Sequence, residues 1–244
     1  MKLPEIKLPL YEVKILSKKE PIKFRPFTVR EEQIMRMAVE SSDINSILLS
    51  LKQVINNCVI DDIDVDDMAM VDMETIFLHL RARSIGETGS QYFKCKNEIT
   101  LVDGTKKECG MLIEVPINFL EVPVINAGID SKLQLDEDLG VKMKYPTVAL
   151  AGIIGSVKDP HSLEITMIAN CIDLIYTKTE VYSASDCTQE ELVDFLLKLP
   201  TPKYDVIKQF CEKAPKTQLI VEKDCGKCGW HHTFTLEGIY DFFE

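Results

Sequence analysis

The sequence predicts an α+β fold, mainly helical, with a small β region assembled from two distant segments. Three observations carry this expectation. Apolar residues recur at helical spacing in two separate blocks, before residue 85 and after residue 160. β-Branched and aromatic residues crowd instead into about 90–124 and the stretch after Pro215. Four of the eight cysteines lie in those two β stretches.

The chain of 244 residues is long enough for one large domain or two small ones. A hydrophobic share of 45%, a charged share of 27% and a mean hydropathy near zero exclude a disordered or fibrous chain. The net charge of -11 argues against a general nucleic-acid binder. That charge is uneven, since residues 1–30 hold eight Lys or Arg against three Glu. Prolines and charges interrupt every early apolar run, and the weakly polar run 148–157 is about half a bilayer span. The expectation is a soluble intracellular protein without membrane contact, whose cysteines stay reduced.

Residues 1–26 read as a basic, extended arm punctuated by Pro4, Pro9, Pro21 and Pro26. It suits either an acidic partner or an edge strand on the protein's own body. Residues 27–85 form an N-terminal helical region. Thr28 and Glu31 have capping-box spacing at its start, ahead of Ile34, Met35 and Ala38. A second helix spans about 44–58 with Ile44, Ile47, Leu48, Leu51, Val54, Ile55 and Cys58 on its stripe. A third, about 67–83, places Met70, Met73, Ile76, Phe77 and Leu80 on one face.

Residues 86–125, together with 215–238, make the β region. Asp103-Gly104 marks a tight turn with a strand on either side. Residues 126–214 hold a hairpin or ribbon over "KLQLDEDLGVKMKYPTV" and then a second helical region. Its helices are expected at about 162–176, from the capping box Thr188/Glu191 through Leu199, and at about 203–213 before Pro215. Residues 239–244 are an aromatic tail, whose Tyr240, Phe242 and Phe243 either anchor a partner or dock on the protein's own helices.

The chemistry centres on "CGKCG". Cys225 and Cys228 are three positions apart with a glycine after each, between two strand-like stretches. Two thiolates at this spacing can ligate one metal, and the glycines let the tight turn form. A redox dithiol would need a helix to begin at the first cysteine, but "WHHTFTL" alternates like a strand. The second pair is Cys95 and Cys109, which converge if the thirteen residues between them fold as a hairpin. The expected site is a zinc-ribbon-like tetrathiolate of Cys95, Cys109, Cys225 and Cys228 holding structural Zn2+, with His231 or His232 as alternatives for one sulfur. Such a closed site has no place for substrate water. Cys58, Cys171 and Cys211 read as buried hydrophobes, and Cys187 has no evident partner.

The acidic run 61–74 starts like a calcium loop with Asp62, Asp64 and Asp66. Asp67 stands at the required glycine and Met73 at the closing glutamate, so an EF-hand is rejected. Its acids read as a helix first turn plus a solvated or partner-facing loop. No phosphate loop, dinucleotide fingerprint, nucleophile elbow or zinc-protease motif occurs, and no catalytic residues are expected.

The stretches "FRPFTVREEQIMRMAVES", "LRARSIGE", "VKMKYPTV", "TQEELVDFLLKLP" and "CGKCGWHHTFTLEGIYDFFE" resemble the baseplate-hub assembly proteins of T-even-type bacteriophages, from about Lys23 onward. The resemblance implies a non-enzymatic viral protein, made late in infection. It would act in the host bacterial cytoplasm, as a hub subunit or as an assembly factor. It also implies other baseplate-hub proteins as partners and the tail baseplate as an alternative location, and it leaves self-association open. Lys94, Lys96, Lys106, Lys107, Lys223 and Lys227 flank the cysteines, so a zinc-ribbon regulator that binds nucleic acid is the rival reading.

Overall fold

The computed structural model describes residues 4, 6–41, 44–102, 104–126, 128–150 and 159–242. Expectations for residues 1–3 and 5 of the arm, for Asp103, for most of the run 148–157 and for Phe243 lie outside the described residues.

The basic arm packs on its own body. Strands β1 (Tyr11–Val13) and β2 (Ile22–Phe24) pair antiparallel, with Val13 opposite Ile22. Val13, Ile22 and Phe24 enter the first core, while Lys23 between them faces out. The strand reading of the arm is therefore the one realised for its second half. Helices α1 (Val29–Ser41), α2 (Ile44–Cys58) and α3 (Met70–Ser84) enclose the same core through Met35, Leu51, Val54, Ile55, Met73, Ile76 and Leu80.

Several acids of the 61–74 run do more than solvate a loop. Asp61 accepts the Lys23 N–H at 2.6 Å, and buried Asp72 accepts the Leu16 N–H at 2.7 Å. These bonds satisfy arm amides that a two-stranded hairpin leaves open.

Two nested hairpins follow. Strand β3 (Thr88–Lys94) pairs with β6 (Leu112–Asn118), and between them β4 (Glu98–Thr100) pairs with β5 (Lys106–Glu108). Far along the chain, β12 (Lys216–Asp224) and β13 (His231–Glu237) form a hairpin of their own. The short strand β7 (Val124–Ile125) lies beside β12, with Ile125 opposite Lys216 and Val124 opposite Thr217.

Between those partners the chain builds a four-stranded antiparallel sheet in the order β11-β10-β9-β8. Its strands are β8 (Lys132–Gln134), β9 (Leu139–Met143), β10 (Ile172–Thr177) and β11 (Val181–Ser183). Helices α4 (Pro160–Asn170), α5 (Gln189–Leu197) and α6 (Thr201–Glu212) pack on it around Val141, Ile168, Ile172, Leu196, Ile207 and Phe210. The capping box at α5 is present in full, Thr188 accepting from Glu191 N–H and Glu191 accepting from Thr188 N–H.

The fold is mixed rather than mainly helical. It is 37% helix and 29% strand, in several small antiparallel sheets. The helix expected over 162–176 accounts for part of the difference: it stops at Asn170, and Ile172–Thr177 is a strand paired on both sides. A strand with partial burial on both faces lacks the period-two alternation that would have separated it from a helix.

A last short helix, α7 (Gly238–Asp241), follows β13. Phe242 after it is 1% exposed, packed with Leu78 and Ala82 of α3 and with Val115 and Ile117 of β6. Of the aromatic tail, Phe242 docks on the protein itself and Tyr240 stays 39% exposed. Helix α3 is thus buried on two sides, one toward the first core and one toward the ribbon strands.

Candidate metal centre

The four cysteines singled out by spacing meet at one point. Cys95 follows β3 and Cys109 follows β5, so the inner hairpin β4–β5 brings them side by side at its base. Backbone bonds seal that base: Cys95 N–H to Met111 O at 2.8 Å, Gly110 N–H to Cys95 O at 3.0 Å, and Cys109 N–H to Asn97 O at 2.8 Å. The thirteen residues between the two cysteines are this folded hairpin. At its tip Gly104 takes φ 83°, and Gly110 next to Cys109 takes φ 68°, both left-handed.

Cys225 and Cys228 lie in the turn between β12 and β13. Cys225 N–H donates to Trp230 O at 2.8 Å, Gly229 N–H donates to Cys225 O at 2.8 Å, and Gly229 takes φ 69°. A strand follows this turn, which removes the helix dipole a thioredoxin-like pair relies on.

All four sulfurs lie within 4.8 Å of one another, a grouping that can hold a metal ion. Cys95 Sγ is 3.7 Å from Cys228 Sγ, and Cys109 Sγ is 3.7 Å from Cys225 Sγ. A disulfide would need about 2.05 Å. Four sulfurs about 2.3 Å from a tetrahedral zinc stand about 3.8 Å apart. The spacing therefore fits a bridging ion and not a covalent bond. Cys95, Cys109 and Cys225 are buried, with Ile113 against them, while Cys228 is partly open.

Backbone amides aim at the sulfurs, as tetrathiolate turns require. Cys225 receives the N–H groups of Cys228 and Lys227, which hold its pKa below the usual thiol range. The Trp230 N–H lowers Cys228 to about 6. Burial pushes Cys95 up to about 12 despite the Asn97 N–H. Cys109 receives the Met111 N–H but is still raised, because burial and the neighbouring thiols outweigh it. A divalent cation would replace the protons of such a crowded set and neutralise half of the resulting charge.

The histidines divide. His231 turns away, its Nδ1 2.8 Å from Asp224. His232 Nε2 lies 3.3 Å from Cys95 Sγ, beside the ligand set rather than in it. Of the flanking lysines, Lys227 reaches Cys109 O at 3.1 Å, Lys223 reaches Glu114 O at 2.5 Å and Lys106 faces Glu98 at 3.8 Å. The remaining cysteines stand apart from the centre. Cys58 is buried beside Arg25, and Cys171 neighbours Cys211 in the second helical region.

A profile of the T4 bacteriophage base plate protein family matches residues 8–244. The chain belongs to that family. A curated relative, the baseplate hub assembly protein gp26 of Enterobacteria phage T4, is 26% identical over 234 residues, 96% of this chain and 97% of the relative. No solved structure matches the chain. This base plate protein carries all four cysteines within the span that the family covers. Among its described residues no helix is long and apolar enough to cross a membrane.

Proposed function

We propose that this protein is a non-enzymatic assembly protein of the central hub of a contractile-tail baseplate, stapled by one structural zinc ion. The observation that carries the hub role is the likeness to a hub assembly protein along nearly the whole of both chains. The protein acts in the host bacterial cytoplasm while tails are built, through contacts with other hub proteins. Interrupting its coding region in the phage that encodes it should abolish hub-bearing tails; normal tails from such a phage would overturn the role. Mass spectrometry of purified particles separates the two forms of the reading, since a hub subunit stays in the virion and an assembly factor leaves.

Zinc on Cys95, Cys109, Cys225 and Cys228 is supported by the 3.7 Å sulfur separations and the amide donors around them. Four protein ligands leave no position for a reacting water, so the ion's work is structural. Native mass spectrometry of protein purified without chelator should find one zinc per chain. A metal-free mass would remove zinc and leave the hub role standing.

A further inference from the structure

Two side chains near the sulfurs reach across the clamp rather than along their own half. Asn97 stands between β3 and β4, in the half that carries Cys95 and Cys109, yet its Nδ2 donates to Cys228 Sγ at 3.6 Å. His232 is the second residue of β13, in the half that carries Cys225 and Cys228, yet its Nε2 lies 3.3 Å from Cys95 Sγ. The backbone amides behave differently. Each of them serves a sulfur on its own segment.

Both side chains are held in place by other contacts. Asn97 spends its backbone N–H on Cys95 and its carbonyl on the Cys109 N–H at 2.8 Å. The His232 ring stacks on Phe234 at 5.4 Å and 14°, and Phe234 stacks on Phe93 at 4.7 Å and 25°. Phe93 lies two residues before Cys95, so the aromatic column ties the His232 ring to the strand that leads into that cysteine. A metal-bound thiolate only accepts, which selects the Nε2–H tautomer of His232.

We infer that Asn97 and His232 form a reciprocal latch, each donating to a metal-bound sulfur of the opposite half and so slowing separation of the two halves. The inference rests on the metal reading above. Donors of this kind change metal affinity by about 10–100-fold in metal sites generally. Cys228 is the ligand open to solvent and Cys95 the one most enclosed, so the latch acts at both the entry and the floor of the site.

The test uses the zinc-loaded full chain and follows zinc transfer to excess 4-(2-pyridylazo)resorcinol. Asn97→Leu and His232→Phe keep the bulk and remove the donor. Each should release zinc about tenfold faster than wild type. His232→Gln, which can place an amide N–H near the Nε2 position, should stay within about twofold. In the cobalt(II) form the thiolate-to-metal charge-transfer band should shift in the Leu and Phe variants and not in the Gln variant. Equal rates and unshifted bands in every variant would overturn the latch while leaving the metal site intact. A wild-type chain that takes up neither zinc nor cobalt overturns the site and the latch together. Should His232→Phe fail to fold, Asn97→Leu decides by the same two readouts.

Discussion

Glu31 sits under the first turn of α1 with 3% of its surface exposed, and donors of Arg25 and Thr28 meet it there. Arg25 Nη2 approaches at 3.1 Å, Thr28 N–H at 2.7 Å and Thr28 Oγ at 2.5 Å. Burial alone would raise its pKa, but the Arg25 guanidinium and the Thr28 donors overcome that and hold it at about 2. A depressed carboxyl contributes stability that is complete above the unfolded value of 4.5 and disappears as pH falls toward 2. Glu31→Gln should cost about 2 kcal/mol near pH 7 and flatten the acid limb of a stability profile between those pH values. An unchanged acid limb in urea unfolding would contradict this.

At the same scale, Cys109→Ser should lose the metal and several kcal/mol of stability, read by metal analysis and thermal melting. Serine offers zinc a poor ligand, and the deep pocket leaves its hydroxyl beside three thiols. A variant that still melts like wild type and keeps its metal would show that Cys109 is no ligand. The four cysteines were legible in the sequence because two share a tight spacing and two carry glycine or strand neighbours. Asn97 and His232 were not, since their contacts depend on residues more than 130 positions away. Asp72 was half legible for a related reason. Its place in the first turn of α3 was readable, but the arm amide it also accepts was not.

At the scale of elements, the β1–β2 hairpin depends on bonds from outside itself. Asp72→Ala should leave the Leu16 N–H unsatisfied and cost about 1–3 kcal/mol. Hydrogen exchange at Leu16 and Ser17 should speed up more than exchange in α2, and equal protection in the variant would count against the tether. Helix boundaries with caps were readable in advance, as at Thr188, because the capping box is local chemistry. Strand β10 was not readable, because its register partners β9 and β11 supply the burial that its own sequence only hints at. The α3 helix was half readable. Met73, Ile76, Phe77 and Leu80 form the expected stripe, but Leu78 and Ala82 on another side meet a core built by strands far along the chain.

At the scale of the molecule, the centre joins segments separated by 116 and 133 residues. A metal holding such distant segments acts on the global fold more than on either hairpin. Removing it with excess chelator should lower the melting temperature by about 10 °C or more and expose β12 and β13 to protease before α2. Equal melting with and without chelator would rule out a stabilising metal. The third core reports on the same event, since Phe242 and Leu236 share it with Leu78 of α3.

The pairing of Ile125 with Lys216 has a hereditary consequence as well. The chain leaves the ribbon for the four-stranded sheet at one of these residues and comes back at the other, so departure and return are neighbours. The stretch between is moored there and again at 146–149, where Met70 N–H donates to Pro146 O and Val148 N–H donates to Met68 O, both at 2.9 Å. Lengthening or trimming its exposed turns would leave the cysteines in place, provided both moorings hold. Divergence within the family is therefore expected to change length at turns such as 136–138 and 178–180 before it touches either mooring or the clamp.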